Sequence, residues 1–175
     1  NESYSGDHLM DVGVGRLPVK TQEEARIVVD KLIKYSAAAE TLGEWRNELV
    51  FIADDGDGNL HQKDADKLTV LVDTSYTNFN VNKVYVDTYP QIKTASGENA
   101  PQANEAISRH IEDGSLIVNF TGHGSATRWT SETILNLTSI SEYENENRFP
   151  LFVTATCEFG RHDNPMVISG AEYLL

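Results

Sequence analysis

The chain holds one cysteine, Cys157, in Thr154-Ala155-Thr156-Cys157-Glu158-Phe159, and a histidine framed by glycines, His123, in Thr121-Gly122-His123-Gly124-Ser125. A thiol and an imidazole are the two groups that nucleophilic acyl transfer requires: the thiolate attacks and the imidazole handles the proton. Glycines on both sides of His123 permit a tight turn and a close approach of backbone N–H groups to a bound carbonyl. A developing oxyanion would then lie between the N–H of Gly124 and the N–H of Cys157. Taken alone, each residue has a plainer reading. A lone cysteine is by default a small buried hydrophobe, and Gly-His-Gly is by default a loop with an exposed histidine. Only their convergence, together with a carboxylate from Asp54-Asp55-Gly56, points to catalysis.

Convergence depends on the elements that carry them. Strand-like apolar runs occur at Val12–Val19, Leu49–Ala53, Lys83–Asp87, Leu116–Thr121 and Leu151–Thr156, mostly continuous rather than alternating, as in a sheet covered on both faces. Helical patterns separate them. Thr21 and Glu24 form a capping box before an apolar stripe of Ala25, Val28, Val29, Leu32 and Ile33. A second helix spans about Asp64 to Thr74. A third opens at Pro101 and stops at Gly114. Shorter helical turns are predicted at Thr130–Asn136 and Ser139–Glu144, with a last helix from Asn164-Pro165. This alternation predicts one α/β domain with a mostly parallel sheet and helices on both faces. In such a sheet ligands bind beyond the carboxyl ends of the strands. Those ends carry Asp54-Asp55, His123 and Cys157. Both termini of residues 1–175 read as cut from a longer, processed precursor.

Composition narrows the partners. With 27 acidic and 14 basic residues the net charge is -13, which argues against nucleic acid because phosphate binding needs a basic footprint. No apolar run approaches the ~20 residues that span a bilayer. One cysteine excludes a disulfide framework and a cysteine-based zinc site within the chain. Acidity is compatible with calcium. Asp55-Gly-Asp57-Gly-Asn59 is spaced like the start of a calcium loop, although Leu60 stands where an EF-hand needs glycine. The plainer reading of that run is a polar turn. Tyr4-Ser5-Gly6-Asp7-His8 reads as a solvated terminal segment or a metal or substrate loop. His61 and His110 are expected on helix surfaces. His162, shortly after Cys157, and Trp129, shortly after His123, are candidates for a substrate pocket, Trp129 equally for the core. A metal-dependent hydrolase using His123 and the Asp54–Asp57 run lacks a His-Glu-x-x-His pattern.

Asn119-Phe120-Thr121-Gly122-His123-Gly124-Ser125, then Trp129, then Pro150-Leu151-Phe152-Val153-Thr154-Ala155-Thr156-Cys157, resembles the catalytic segment of the gingipain-like cysteine peptidases. Val14-Gly15-Arg16-Leu17-Pro18-Val19, Lys34-Tyr35 and Ile52-Ala53-Asp54-Asp55 look more like one branch of that family, the PorU-type sortases that act as signal peptidases in type IX secretion. The resemblance implies a caspase-like fold, Cys157 as nucleophile and His123 as general acid/base, with the Gly124 and Cys157 amides as the oxyanion hole. It also implies a carboxylate orienting the imidazole, for which the sequence offers Asp54 or Asp55. No cofactor is implied for catalysis, while structural calcium is. The sortase branch implies removal of carboxyl-terminal targeting domains from exported cargo proteins, association with other secretion components, a cell-surface or outer-membrane location and transpeptidation as an alternative to hydrolysis. A secreted digestive protease and a catalytically silent caspase-like scaffold are the alternatives.

Overall fold

The computed structural model describes residues 12–95 and 97–175. In chain order its elements are α1 (Gln22–Ala37), β1 (Glu48–Ala53), α2 (Gly56–Ser75), β2 (Asn80–Tyr85), β3 (Ile92–Thr94), β4 (Gly97–Asn99), α3 (Pro101–Asp113), β5 (Ile117–Thr121), β6 (Arg128–Trp129), β7 (Leu135–Asn136), α4 (Leu137–Ser141), β8 (Leu151–Ala155) and α5 (Gly170–Leu174). β2, β1, β5 and β8 form one sheet in that order, all parallel. β3 pairs with β4, and β6 with β7, as short antiparallel ribbons.

The central strand β1 is buried from Leu49 to Ala53. Its two faces have different partners. Val50 and Ile52 join Ile107 and Ile111 of α3, which stand one turn apart on a single helix face. Ala53 joins Ala65 of α2 and Tyr85 of β2 on the other face. This is the α/β architecture with helices on both faces that the continuous apolar runs predicted, and it is caspase-like. Trp129 stacks on Phe120 at 4.4 Å with 11° between the rings and meets Phe159 at 5.4 Å. That cluster fixes the loops after β5 and β8 onto the core.

Four expectations differ. Val12–Val19 is not a strand: residues 13–20 have no ladder partner among the described residues, and Val14 is 83% exposed. A Val-Gly-Val-Gly pattern carries the right period, but a strand exists only where an edge accepts it. α1 forms as expected, with Thr21 Oγ1 accepting the Glu24 N–H at 3.1 Å. Of its stripe, however, only Val28 is buried, while Val29, Leu32 and Ile33 stay exposed beside the edge strand β8. The segment 130–136 is a turn leading into β7 rather than a helix, and the last helix begins at Gly170. Tyr4–His8 lies outside the described residues.

Candidate active site

Strand register decides where His123 and Cys157 emerge. β5 and β8 run parallel with Thr121 opposite Ala155, and the Gly122 N–H donates to the Ala155 carbonyl at 3.2 Å. His123 and Cys157 each follow that pair by two residues. They leave adjacent strands, about 5 Å apart, at one level of the sheet. Cys157 is exposed, as an attacking thiol must be.

The His123 loop is held from beneath. Asp54, 3% exposed at the end of β1, donates its N–H to the Thr121 carbonyl at 3.1 Å. Its carboxylate accepts the His123 N–H through Oδ2 at 2.9 Å and the Gly56 N–H through Oδ1 at 3.2 Å. Gly122 has to be glycine, because a Cβ there would sit 2.3 Å from the Asp54 Cβ. Gly124 packs against the Cys157 strand: its Cβ would lie 2.5 Å from Thr156 Oγ1. The loop then folds back, with Thr130 N–H donating to the His123 carbonyl at 3.0 Å. On the other side Glu158 takes a left-handed φ of 58°, which turns the chain sharply after Cys157 and drops Phe159 into the core. The start of α5 ties both loops together, since Gly170 N–H donates to Ala126 and Ala171 N–H to Phe159. Among the described residues, neither the Gly124 N–H nor the Cys157 N–H donates to a protein acceptor.

The carboxylate that meets the imidazole is neither Asp54 nor Asp55. Asp57 Oδ2 lies 3.0 Å from His123 Nε2. α2 opens on a left-handed turn in which Asp57, Gly58 and Asn59 have φ of 54°, 64° and 63°, a conformation that Asp, Gly and Asn tolerate best. That turn brings Asp57 back over the His123 ring. Asp54 instead positions the backbone, and Asp55 accepts from Gln91 Nε2. The signal for Asp57 was therefore the Gly-Asp-Gly-Asn composition, which specifies the turn. With Asp57 on Nε2, Nδ1 is the ring nitrogen that Asp57 leaves open.

Asp55, Asp57 and Asn59 do not share a point. Asp55 faces Gln91, Asp57 faces His123, and Asn59 Nδ2 donates to Asp87 at 3.3 Å. Three ligands aimed at three partners do not fit one calcium ion, and the polar turn is what the run forms. Trp129 is fully buried and belongs to the core, not to a pocket wall. His162 is exposed, with Nε2 3.0 Å from Arg16 Nη1, which places the Gly15–Val19 segment beside the loop after Cys157. His61 and His110 are half-buried rather than surface residues. His61 packs edge-on against His123 with ring centroids 4.9 Å apart. Burial pushes the His110 imidazole below its ordinary range, and it pushes the Tyr143 phenol up to about 12.

Residues 2–175 match the sequence profile of peptidase family C25. Gingipain R2 of Porphyromonas gingivalis (strain ATCC 33277) is 24% identical over 154 residues, covering 88% of this chain and 20% of the relative. Lys-gingipain HG66 of Porphyromonas gingivalis is 23% identical over 168 residues, covering 96% and 9%. The crystal structure of the Arg-specific cysteine proteinase gingipain R superposes with a TM-score of 0.68 at 20% identity, covering 89% of this chain and 34% of that one. The complex of Porphyromonas gingivalis RgpB pro- and mature domains gives 0.70 at 21%, covering 93% and 36%. The chain thus spans a fifth or less of these curated relatives and about a third of these solved chains. A parallel sheet that delivers histidine and cysteine from neighbouring strand ends, a shared fold and a profile match along nearly the whole sequence agree: the chain belongs to peptidase family C25, the gingipain-like cysteine peptidases.

Proposed function

We propose that the chain is the catalytic core of a cysteine endopeptidase in which Cys157 attacks the scissile carbonyl and His123, oriented by Asp57, transfers the proton. The observation that carries this reading is the β5–β8 register, which brings both residues out at one level, with Asp57 on the far nitrogen of the ring. His123 Nδ1 accepts the thiol proton, and the Cys157 sulfur bonds to the peptide carbonyl carbon. The carbonyl oxygen becomes an oxyanion bound by the Gly124 and Cys157 N–H groups. As the C–N bond breaks, His123 returns its proton to the leaving amine, and an acyl-enzyme thioester remains. Water then gives its proton to His123 and attacks the thioester carbon, the C–S bond breaks to release the acid, and His123 returns the proton to the Cys157 sulfur; an amine in place of that water would give a transpeptidation product. Asp57 keeps the proton on Nε2 and stabilises the imidazolium.

In the finer reading the enzyme is a sortase-like signal peptidase of type IX secretion, removing carboxyl-terminal targeting domains from exported cargo at the cell surface or outer membrane. The resemblance in Gly15-Arg16-Leu17-Pro18-Val19 and Ala53-Asp54-Asp55 favours it. Such an enzyme would work beside other secretion components. A secreted digestive protease is the second reading, favoured by the gingipain names of the relatives. No described helix is long and apolar enough to cross a membrane. Installing Cys157→Ala in the full-length protein and following exported cargo separates the two. Accumulation of uncleaved cargo supports the sortase; normal cargo maturation with loss of general proteolysis supports the digestive protease. Undiminished peptidase turnover in the variant refutes both.

A further inference from the structure

We propose that His61, His123 and Asp54 form a site for a zinc-like divalent cation, and that this cation switches the peptidase off by occupying His123. The inference rests on the dyad reading above for its consequence, but not for the binding itself. His61 lies on the first regular turn of α2, outside the catalytic groups. Its Nε2 is shielded from solvent and makes no hydrogen bond; Asp57 Oδ2 is 3.5 Å away, the same oxygen that is 3.0 Å from His123 Nε2. One ligand atom each from Asp54, His61 and His123 lies within 4.8 Å of the others. Tetrahedral zinc, with bonds of about 2.0–2.2 Å, sets its ligand atoms ~3.3 Å apart, inside that limit.

The gap between them is kept open by Gly56. A Cβ there would stand 3.3 Å from His123 Nε2 and 3.4 Å from Asp54 Oδ2, in the space between the ring and the carboxylate. Two imidazoles and a carboxylate suit zinc, cobalt, nickel or copper rather than calcium or magnesium. The chemical consequence follows from the tautomer. Metal on Nε2 displaces the proton that Asp57 holds there and leaves the neutral ring protonated on Nδ1. That tautomer has no lone pair with which to accept the Cys157 proton. The metal therefore stops attack without touching sulfur.

Cobalt(II) titration of the full-length protein tests this, with zinc as competitor. In Cys157→Ala, saturable visible d–d absorption is expected, displaced by zinc and weakened roughly tenfold or more in the added His61→Ala or His61→Gln change. In the otherwise wild-type enzyme, His61→Ala should raise the zinc concentration that halves the variant's own zinc-free turnover by a similar factor. Absence of saturable binding overturns the site. So does a thiolate-to-cobalt charge-transfer band that disappears in Cys157→Ala and ignores His61→Ala, because the metal would then sit on the nucleophile. The titration reads the site even if peptidase activity is never found, and activity without cobalt binding sinks the site alone.

Discussion

Replacing Asp54 by Ala should cost more stability than removing any other acid near the site, although Asp54 touches no reacting atom. Its carboxylate is almost fully buried and serves two backbone donors, His123 N–H at 2.9 Å and Gly56 N–H at 3.2 Å. A hydrogen bond to a charged group contributes about 1.5–3 kcal/mol, and a buried donor left unpaired costs about 1–3 kcal/mol. Both donors are part-buried, so water entering the space recovers some of that loss. We expect about 2–4 kcal/mol in total, which for a chain of 175 residues corresponds to a fall in Tm of roughly 5–15 °C. Urea unfolding of Asp54→Ala beside Asp55→Ala reads the difference. Asp55 is bonded to Gln91 at an exposed position, and its loss should stay within about 0.5 kcal/mol. Equal stability of the two variants would refute the view that Asp54 clamps the His123 loop.

Two further predictions concern charge. Asp57→Asn keeps the shape but lets the imidazole turn and lose its preferred tautomer; kcat should fall about 10- to 100-fold with little change in KM, and an unaltered kcat would remove Asp57 from the mechanism. Because burial lowers the pKa of His110 in the fold, the unfolded chain takes up a proton first as pH drops. Stability should therefore decline from about pH 6.5 downward until the folded form also protonates, and His110→Gln should flatten the decline in urea unfolding between pH 7.5 and 5.5; an identical slope in the variant contradicts the assignment.

His123 and Cys157 were legible in the sequence because each closes a continuous apolar run, and a parallel sheet aligns the ends of such runs. Thr121-Gly122-His123 and Ala155-Thr156-Cys157 have equal offsets from their strands, so correct strands carry the correct level. Asp57 was not legible as the ring's partner. Its position depends on three consecutive left-handed residues, and strand and helix periodicity report nothing about the path between them. Proximity to the strand end favoured Asp54 and Asp55, one of which faces down into the loop and the other sideways to Gln91. Trp129 illustrates a different limit: its nearness to His123 in sequence says nothing about which face of the loop it takes, and stacking on Phe120 decides for the core. In α1 the apolar stripe was read correctly as a stripe, yet what covers it is a matter of tertiary neighbours, and among the described residues only Val28 is covered.

The pairing of His123 with Cys157 is tested most directly by alkylation of that thiol with iodoacetamide at pH 7, followed by peptide mass mapping of the residue. Thiolate, not thiol, reacts, and a neighbouring imidazolium raises the thiolate fraction. His123→Ala should slow modification of Cys157 roughly tenfold, while His110→Gln, remote from the site, should leave the rate unchanged. A rate that is the same with and without His123 would show that the two residues share a level of the sheet without sharing a proton.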